Sequence, residues 1–522
     1  MIMNLIGSFD EKLVGKILDP IHGIIRITET EKKVINHPLF QRLRNVRQNT
    51  LLYKVFPSAV HSRFEHSIGV MHLSYEVMKN LTLNVERYIN KKYTGGDIYR
   101  EIKMLPEEHI VNLRLAALLH DIGHGPLAHS FDKFAIRKSD FLKEINDDEN
   151  KSLYLKIEKL CKGERFKHEL ISCVFSLEIL TDIGLSKRDI ESVIKIIEKD
   201  YDYEYPKVNG VNIHSLLTSI ISSCPIDADR MDYLLRDSFF SGVKYGVYDY
   251  SRLLMSLVPI KENNDVYLTF KESGIDSLLE FINARSSLFG QVYFHKTNRF
   301  LSKALEAACE GITNDVIDLS GSESIVNKLK KFYRKNSDNY FLEENLLDEI
   351  SKAYESNKEV FRVNRTLIND IINRNIWKKV FEKKTTFSNI ELSIGEVNDF
   401  TNDLKAILKK QKDENRQYDI LIDIVTENNF KDINDSSVKL LKKQVDDSYN
   451  LIKFSESDTI FQSHHRIKVL ARVYLNPNSV DNSSISEIKN SFKQVDMDIE
   501  NLYTRCLANL KRRVSDRTLE GN

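Results

Sequence analysis

"LRLAALLHDIGHGPLAHS", Leu113–Ser130, passes from an apolar run to a cluster of imidazoles within a few residues. Leu113, Leu115, Ala116, Ala117, Leu118 and Leu119 leave almost no polar face. So solid a run reads as a helix buried on all sides, not as an amphipathic helix lying on a surface. Gly123, Gly125 and Pro126 then end it, because proline cannot continue a helix and glycine lets the chain turn tightly. At that end stand His120 and Asp121, followed by His124 and His129. An ionised carboxylate there costs several kcal/mol unless a cation or dense hydrogen bonding compensates it. The stretch therefore predicts a helical core with a charged site at its edge.

The rest of the chain extends this reading. Only 19 Gly and 9 Pro punctuate 522 residues, and runs such as "HSLLTSIISS" (214–223) also read as buried helix. The N-terminal "GKILDPIHGIIRIT" (15–28) reads as a strand or hairpin around Asp19, Pro20 and Gly23, and "KVFPSAVHSR" (54–63) as a loop, with helix from Glu65 onward. After about Asn298 the histidines thin out, and "ESIVNKLKKFYRKNSDNYFLEENLLDEISKAYESN" (323–357) reads as a separate charged, amphipathic helical region. In "HRIKVLARVYLNPN" (465–478), Ile467, Val469, Ala471 and Val473 alternate as one strand before Asn476-Pro477-Asn478 turns the chain. The expected fold class is mainly α, with a short N-terminal hairpin and a C-terminal helical region that contains a small mixed α/β part. The lysine clusters "KLKK" (328–331) and "KLLKK" (439–443), interspersed with acids, read as solvated helix faces.

With 76 basic and 76 acidic residues, nothing in the overall charge favours nucleic acid or an anionic membrane, so an anionic ligand must be held by local charge. Five widely spaced cysteines with no C-x-x-C pair fit a reduced compartment. The apolar part of "MIMNLIGSFDEK" is too short for a signal peptide, and no run approaches the roughly 20 residues that span a bilayer. A cytoplasmic, soluble protein is expected.

Two His-acid dipeptides occur, His120-Asp121 and His168-Glu169, and chance alone gives about two, so the dipeptide carries no weight by itself. Clustering carries more: nine of the 14 histidines lie between His22 and His129. A hydrolytic metal site needs several N and O ligands converging from separate elements with a position left open. Candidates are His66, the His120-Asp121 pair and Asp229 in "PIDADRMDYLLRD". Taken singly, His66 could cap or pack a helix, His120 could be a satisfied core histidine, and Asp229 could pair with an arginine.

In order along the chain, "HSRFEHSIGVMH", "LLHDIGHGPLAHSFD", "KHE" and "DADRMDYLLRD" resemble the HD-domain deoxynucleoside triphosphate triphosphohydrolases, a dGTPase-like family with mammalian SAM-and-HD-domain members. The resemblance runs from about Lys16 through "DPIHG" and "FQRLRNVRQ" to "RSSLFGQVYFHKT". It implies an HD-type phosphohydrolase core over residues 1–300, with residues 301–522 as the C-terminal region. It also implies a phosphoric ester hydrolase that converts a dNTP to deoxynucleoside and inorganic triphosphate. His66, His120, Asp121 and Asp229 would then ligate a divalent transition metal that polarises the α-phosphate and activates water. Such a donor set suits Mn, Fe, Zn, Co or Ni, and Mg is an option for the substrate phosphates.

By the same resemblance, His129 paired with Asp132 would be the acid at the leaving oxygen, and His124 and His168 would contact phosphate. Arg63, Arg230 and Arg285 fall at phosphate-binding positions, with Arg230 where a Lys is often found. Gln48 and Asp237 would meet the 3′-hydroxyl, Tyr233 would fill the space of a 2′-hydroxyl, and Tyr293 would line base and sugar. Phe289 and Phe294 replace the His and Gln of the mammalian members, so base preference does not carry over. For an allosteric nucleotide, Gln41 and Arg44 are retained, but Asn36 replaces an Asp and Leu18 an Asn, which weakens the expectation of a guanine nucleotide activator.

The leading expectation is therefore a dNTP triphosphohydrolase serving nucleotide-pool control or phage defence. It would act as a homo-oligomer (dimer, tetramer or hexamer), with an activating nucleotide as a further partner. The alternatives are an HD phosphohydrolase acting on an alarmone, a cyclic nucleotide or a nucleoside monophosphate, and a nucleotide sensor without turnover.

Overall fold

The computed structural model describes residues 5–88, 93–94, 96–127, 137–145, 149–222, 226–310, 347–348, 350–352, 354, 362–387, 394–428, 439–453 and 466–520. The chain forms two compact units. One comprises Met1–Leu288, Ile312–Ala353 and Asp432–Phe454, and the other Phe289–Gly311, Tyr354–Lys431 and Ser455–Asn522. The fold is mainly helical, with small sheets in both units.

The first unit begins with an antiparallel hairpin of β1 (Gly15–Asp19) and β2 (Gly23–Ile27). Asp19 shapes its turn, accepting at Oδ1 from the backbone N of Ile21 and of His22, each at 2.9 Å. Gly23 closes it at φ +70°, a conformation that favours glycine. Helix α1 (Glu29–Asn36) starts on a capping box in which Thr28 and Glu31 satisfy each other's backbone N–H groups. Glu31 also binds the buried Arg114, whose Nε and Nη2 lie 2.6 and 2.8 Å from its two oxygens. Arg114 Nη2 reaches on to the Arg26 carbonyl at 2.9 Å and so ties the hairpin to the core.

Helix α2 (Arg63–Asn84) follows Ser62, whose backbone N donates to Glu65 Oε2 at 2.9 Å, and it is buried along most of its length. It packs against α3 (Glu108–Leu119), in which Leu113 through Leu119 are all buried as the solid apolar run requires. The chain then turns over the start of α4 (His168–Asp182). A Cβ at Gly123 would lie 2.1 Å from the His168 carbonyl oxygen and 2.3 Å from Ser172 N, so only glycine permits this approach. In the structure Gly123 N donates to Ser172 Oγ at 2.9 Å. Helix α5 (His214–Ile221) is the second apolar run, and α6 (Ala228–Ser241) packs on α2. Asp227 caps α6 at Arg230 N, and Gly242 ends it at φ +69°.

A six-stranded sheet includes β3 (Leu257–Glu262), β4 (Asp265–Lys271) and β5 (Lys439–Lys443). Strand β5 is "KLLKK", and it corrects the reading of that cluster as a solvated helix face. Its adjacent leucines, Leu440 and Leu441, are both buried while β5 pairs with β4 in parallel, Phe270 opposite Leu440. Lys439 and Lys442 are held by Glu262 and Glu272. Neighbouring side chains on opposite faces suit a strand buried on both sides.

In the second unit Ile467–Leu475 is the central strand of an antiparallel three-stranded sheet, between Lys378–Phe387 and Ile420–Asn428. Ile467, Val469, Ala471 and Val473 join one apolar cluster with Phe400, Leu404, Leu408, Ile488 and Phe492 from the helices Ile394–Glu414 and Asn482–Glu520. The alternation read in the sequence is this packing face. The segment 323–357, read as charged helix, lies almost wholly outside the described residues.

Glu31→Gln removes the carboxylate that compensates a buried guanidinium. It should lower the stability of the first unit by about 3 kcal/mol, read from chemical denaturation. An unchanged unfolding midpoint would show that the Arg114 bridge does not fasten the hairpin.

Candidate metal centre

Three elements deliver the donor atoms. His66 lies in the first turns of α2, His120 and Asp121 follow the end of α3, and Asp229 lies in the first turn of α6. Ligand atoms of His66, His120 and Asp229 all fall within 4.8 Å of one another. Asp229 Oδ1 is 3.1 Å from His66 Nε2 and 3.9 Å from His120 Nε2. Asp121 completes the group, its oxygens 3.8 Å from His66 Nε2 and 3.7 Å from His120 Nε2.

Both imidazoles are oriented through their other nitrogen. His66 Nδ1 is 2.8 Å from Asp232 Oδ2, and His120 Nδ1 is 2.8 Å from the Ala117 carbonyl oxygen. A donor at Nδ1 leaves the Nε2 lone pair as the free ligand. Both Nε2 atoms are buried without a hydrogen-bond partner among the described residues. Converging carboxylates and orphaned imidazole nitrogens fit a divalent transition metal, whose ligands they would be.

The electrostatics agree. Burial alone would disfavour a charged His66, yet Asp229 and Asp232 push its imidazole up to about 10. His120 is likewise raised against burial by Asp121 and Asp229. Burial alone would raise Asp121, but His120, Arg63, His124 and His66 hold it well below the usual carboxylate range. Arg63 also donates Nη1 to Asp121 Oδ2, so the expected phosphate contact stands on a metal-site carboxylate.

Beyond the turn, the rings of His124 and His168 stack with centroids 3.9 Å apart, and His124 Nε2 is 3.6 Å from Asp121 Oδ1. The buried Arg42 holds this turn, donating to the Ile122 carbonyl and, at 2.7 Å, to that of His124. Arg230 pairs with Asp227. Tyr233 is pushed up to about 12, first by burial, with Arg285, Arg230, Asp229 and Asp227 all within electrostatic reach. Asp237 bonds His61 Nε2 at 2.7 Å, and the His61 carbonyl accepts from Gln48 N at 3.0 Å, which brings Gln48 and Asp237 to one place. Gln48 Oε1 is buried without a partner among the described residues.

Tyr293 belongs to the second unit, where its ring meets Phe289 edge-on at 4.8 Å. His129 and Asp132 lie outside the described residues. Asn36, Gln41 and Arg44 line a separate cavity of about 420 Å³ together with Lys16, Lys32 and Leu18. There Arg44 lies 3.6 Å from the Phe64 ring centroid and donates Nε to Gln41 Oε1 at 2.8 Å.

Sequence reasoning missed Asp232, Arg236, Arg42 and His61. A signal existed for the first two: in "DADRMDYLLRD" Asp232 is three residues after Asp229 and Arg236 four after Asp232, the spacing of one helix face. Arg42 and His61 act through contacts distant in sequence, which no local pattern encodes.

Residues 63–237 match the HD domain. An uncharacterized protein of Methanocaldococcus jannaschii is 29% identical over 331 residues, 63% of this chain and 56% of its own length. Human deoxynucleoside triphosphate triphosphohydrolase SAMHD1 is 27% identical over 378 residues, 71% of this chain and 55% of its own. A hypothetical protein from Aquifex aeolicus, solved as a crystal structure, is 25% identical with a TM-score of 0.55, covering 92% of this chain and 99% of that one. The chain thus carries an HD domain and is homologous to SAMHD1 triphosphohydrolases at 26–29% identity. It spans just over half the length of these curated relatives, 55–56% for the archaeal and human proteins.

Since His66 is raised to about 10, it holds a proton at neutral pH in the metal-free protein, and a metal must displace that proton. The proton's stabilising contribution is complete below the ordinary histidine pKa of about 6.5 and fades as pH rises toward 10. Mn²⁺ titrated into metal-free protein at pH 7 in weak buffer should release protons, and its affinity should increase from pH 6 to 8. Affinity independent of pH would mean that metal binding displaces no proton from His66 in this range.

Proposed function

We propose that the protein hydrolyses deoxynucleoside triphosphates to deoxynucleoside and inorganic triphosphate, with a divalent transition metal (Mn, Fe, Zn, Co or Ni) held by His66, His120, Asp121 and Asp229. The observation that carries this reading is the convergence of these donors from three elements beside the His124–His168 pair, with Arg63 on the same carboxylate. The homology to triphosphohydrolases at 26–29% identity supports the substrate class.

A metal at this position supplies Lewis acidity toward a phosphate oxygen and toward water. The chain does the rest. Water attacks the α-phosphorus, the bond to the 5′ oxygen breaks, and that oxygen takes up a proton, for which His129, with Asp132 as the partner that the family resemblance implies, is the proposed donor. His124 and His168 stand beside Asp121 as hydrogen-bond donors to the phosphates. Arg63, Arg230 and Arg285 supply the local positive charge that a chain of zero net charge lacks globally. Gln48 Oε1, unpartnered among the described residues and linked to Asp237 through His61, is a ready acceptor for a sugar hydroxyl. Tyr233, half-buried on α6, is proposed to narrow the sugar's surroundings against a 2′-hydroxyl.

The cavity at Asn36, Gln41 and Arg44 is the candidate site for an activating nucleotide. The Asn36 amide offers one acceptor and one donor where a carboxylate offers two acceptors, so guanine is not favoured there. A homo-oligomer is part of the proposal, and depletion of dNTPs would serve nucleotide-pool control or phage defence.

A panel of dNTPs, singly and mixed, should yield deoxynucleoside and triphosphate in a fixed one-to-one ratio, with neither pyrophosphate nor monophosphate. Asp121→Ala should lower kcat at least about 1000-fold, since it removes a ligand and the partner of Arg63. Activity on cyclic nucleotides, alarmones or monophosphates with none on any dNTP would replace this reading with a different HD phosphohydrolase. Tyr233→Ala should raise kcat/KM for ribonucleoside triphosphates relative to dNTPs by about tenfold, and an unchanged ratio would remove Tyr233 from sugar selection.

A further inference from the structure

The imidazole of His66 is held by a chain of buried polar groups that ends in the turn of the N-terminal hairpin. Asp232 accepts from His66 Nδ1 at Oδ2, 2.8 Å, and lies 2.7 Å from His22 Nε2 at Oδ1. Arg236 forks onto the same carboxylate, Nε to Oδ2 at 2.8 Å and Nη2 to Oδ1 at 2.9 Å. Its remaining nitrogen, Nη1, reaches Asp19 Oδ2 at 2.9 Å. Asp19 Oδ1 then holds the turn of the N-terminal hairpin through Ile21 N and His22 N. Asp232 and Arg236 are 0% exposed and Asp19 is 5% exposed, so the bonds between Arg236 and the two carboxylates lie inside the fold.

The backbone is shaped to admit this chain. A Cβ at Gly69, on α2 one turn beyond His66, would fall 1.9 Å from Asp232 Oδ1 and 2.6 Å from Arg236 Nη2. Glycine there lets the carboxylate and guanidinium lie against the helix that carries His66. His22 and Asp19 enter from the hairpin, Asp232 and Arg236 from α6, and His66 from α2.

We propose that Asp19, Arg236 and Asp232 form a positioning relay that makes the metal affinity of His66 depend on how the N-terminal hairpin is seated. The inference rests on the reading of His66 as a ligand. Asp19 touches no metal-site residue, and its influence passes through Arg236 to Asp232, which fixes the tautomer and rotation of the His66 ring. Asp19 and Pro20 also line the 420 Å³ cavity. A displacement of this turn, from whichever side, therefore reaches Nε2 of His66. The relay works by geometry and hydrogen bonding, so an ammonium in place of the guanidinium fork cannot hold Asp19 and both Asp232 oxygens together.

The test is Mn²⁺ affinity of the full-length protein by calorimetry, without nucleotide, with Co²⁺ absorption as a reporter of ligand geometry. Asp19→Asn and Asp232→Asn should each weaken Mn²⁺ binding by about tenfold or more, and the double variant should lose less than the product of the two. Arg236→Lys keeps the buried charge and serves where Asp19→Asn fails to fold; it should weaken Mn²⁺ binding and shift the Co²⁺ spectrum. Leu217→Ala, a core truncation in the same unit, controls for stability and should leave both readouts as in wild type. Wild-type affinity in Asp19→Asn and Arg236→Lys, or an equal loss in Leu217→Ala, overturns the relay alone. A wild-type protein that takes up no Mn²⁺ overturns the metal reading together with it.

Discussion

A carboxylate without access to water sets the geometry of the first unit. Asp232 would be driven toward its neutral form by burial, but Arg236, His22 and His66 hold it ionised, well below the usual range. An ion so placed tolerates no slack: with any partner removed it becomes an uncompensated charge in a medium of low dielectric. That constraint ties the hairpin, α2 and α6 together, and it does so beside the metal-site donors. Arg236 answers it from the other side, raised above its ordinary range against burial by Asp232 and Asp19. The two groups form a closed electrostatic unit beside the donors of the candidate metal site.

The second constraint is the apolar helix α3. Because Leu113 through Leu119 are buried on every side, the helix cannot rotate to present a different residue at its end, and His120 is aimed by packing as much as by its bond to Ala117. Gly123 then lets the turn lie on α4, and Arg42 fastens it from the 3-10 helix Arg42–Asn45 before α2, so His124 meets His168 across two elements. The site is thus rigid where it orients imidazoles and more open at Asp229, whose side chain keeps 32% of its exposure.

What could be read in the sequence follows from which forces are local. Solid or alternating apolar runs expose α3, α5 and the strand Ile467–Leu475, because period and burial are written in consecutive residues. The donors His66, His120, Asp121 and Asp229 were legible as motifs, and the structure brings them together. Strand β5 was not, since "KLLKK" has no period of its own and becomes a strand only by pairing with Phe270 and Lys271 far earlier in the chain. Asp232 was hidden for a different reason: its partners His22, His66 and Asp19 come from other elements, and a helical Asp beside an Arg four residues on looks like an ordinary surface pair.

Under the proposed function, the division of labour among the arginines is what would let a chain with equal numbers of cations and anions address a polyphosphate. Arg114 and Arg236 are spent on Glu31, Asp19 and Asp232, and Arg42 on backbone carbonyls, all deep in the fold. Burial draws the Arg42 guanidinium down to about 10, with the charge of Arg63 adding to the effect. Arg63 differs from these, for it stands on the Oδ2 side of Asp121 while Oδ1 faces His120 and His124. Asp121 Oδ2 also lies 3.8 Å from His66 Nε2, so this one carboxylate stands between the guanidinium and the imidazoles. Under the proposed function, a phosphate oxygen approaching this edge would meet an arginine and two stacked imidazoles beside the candidate metal ligands.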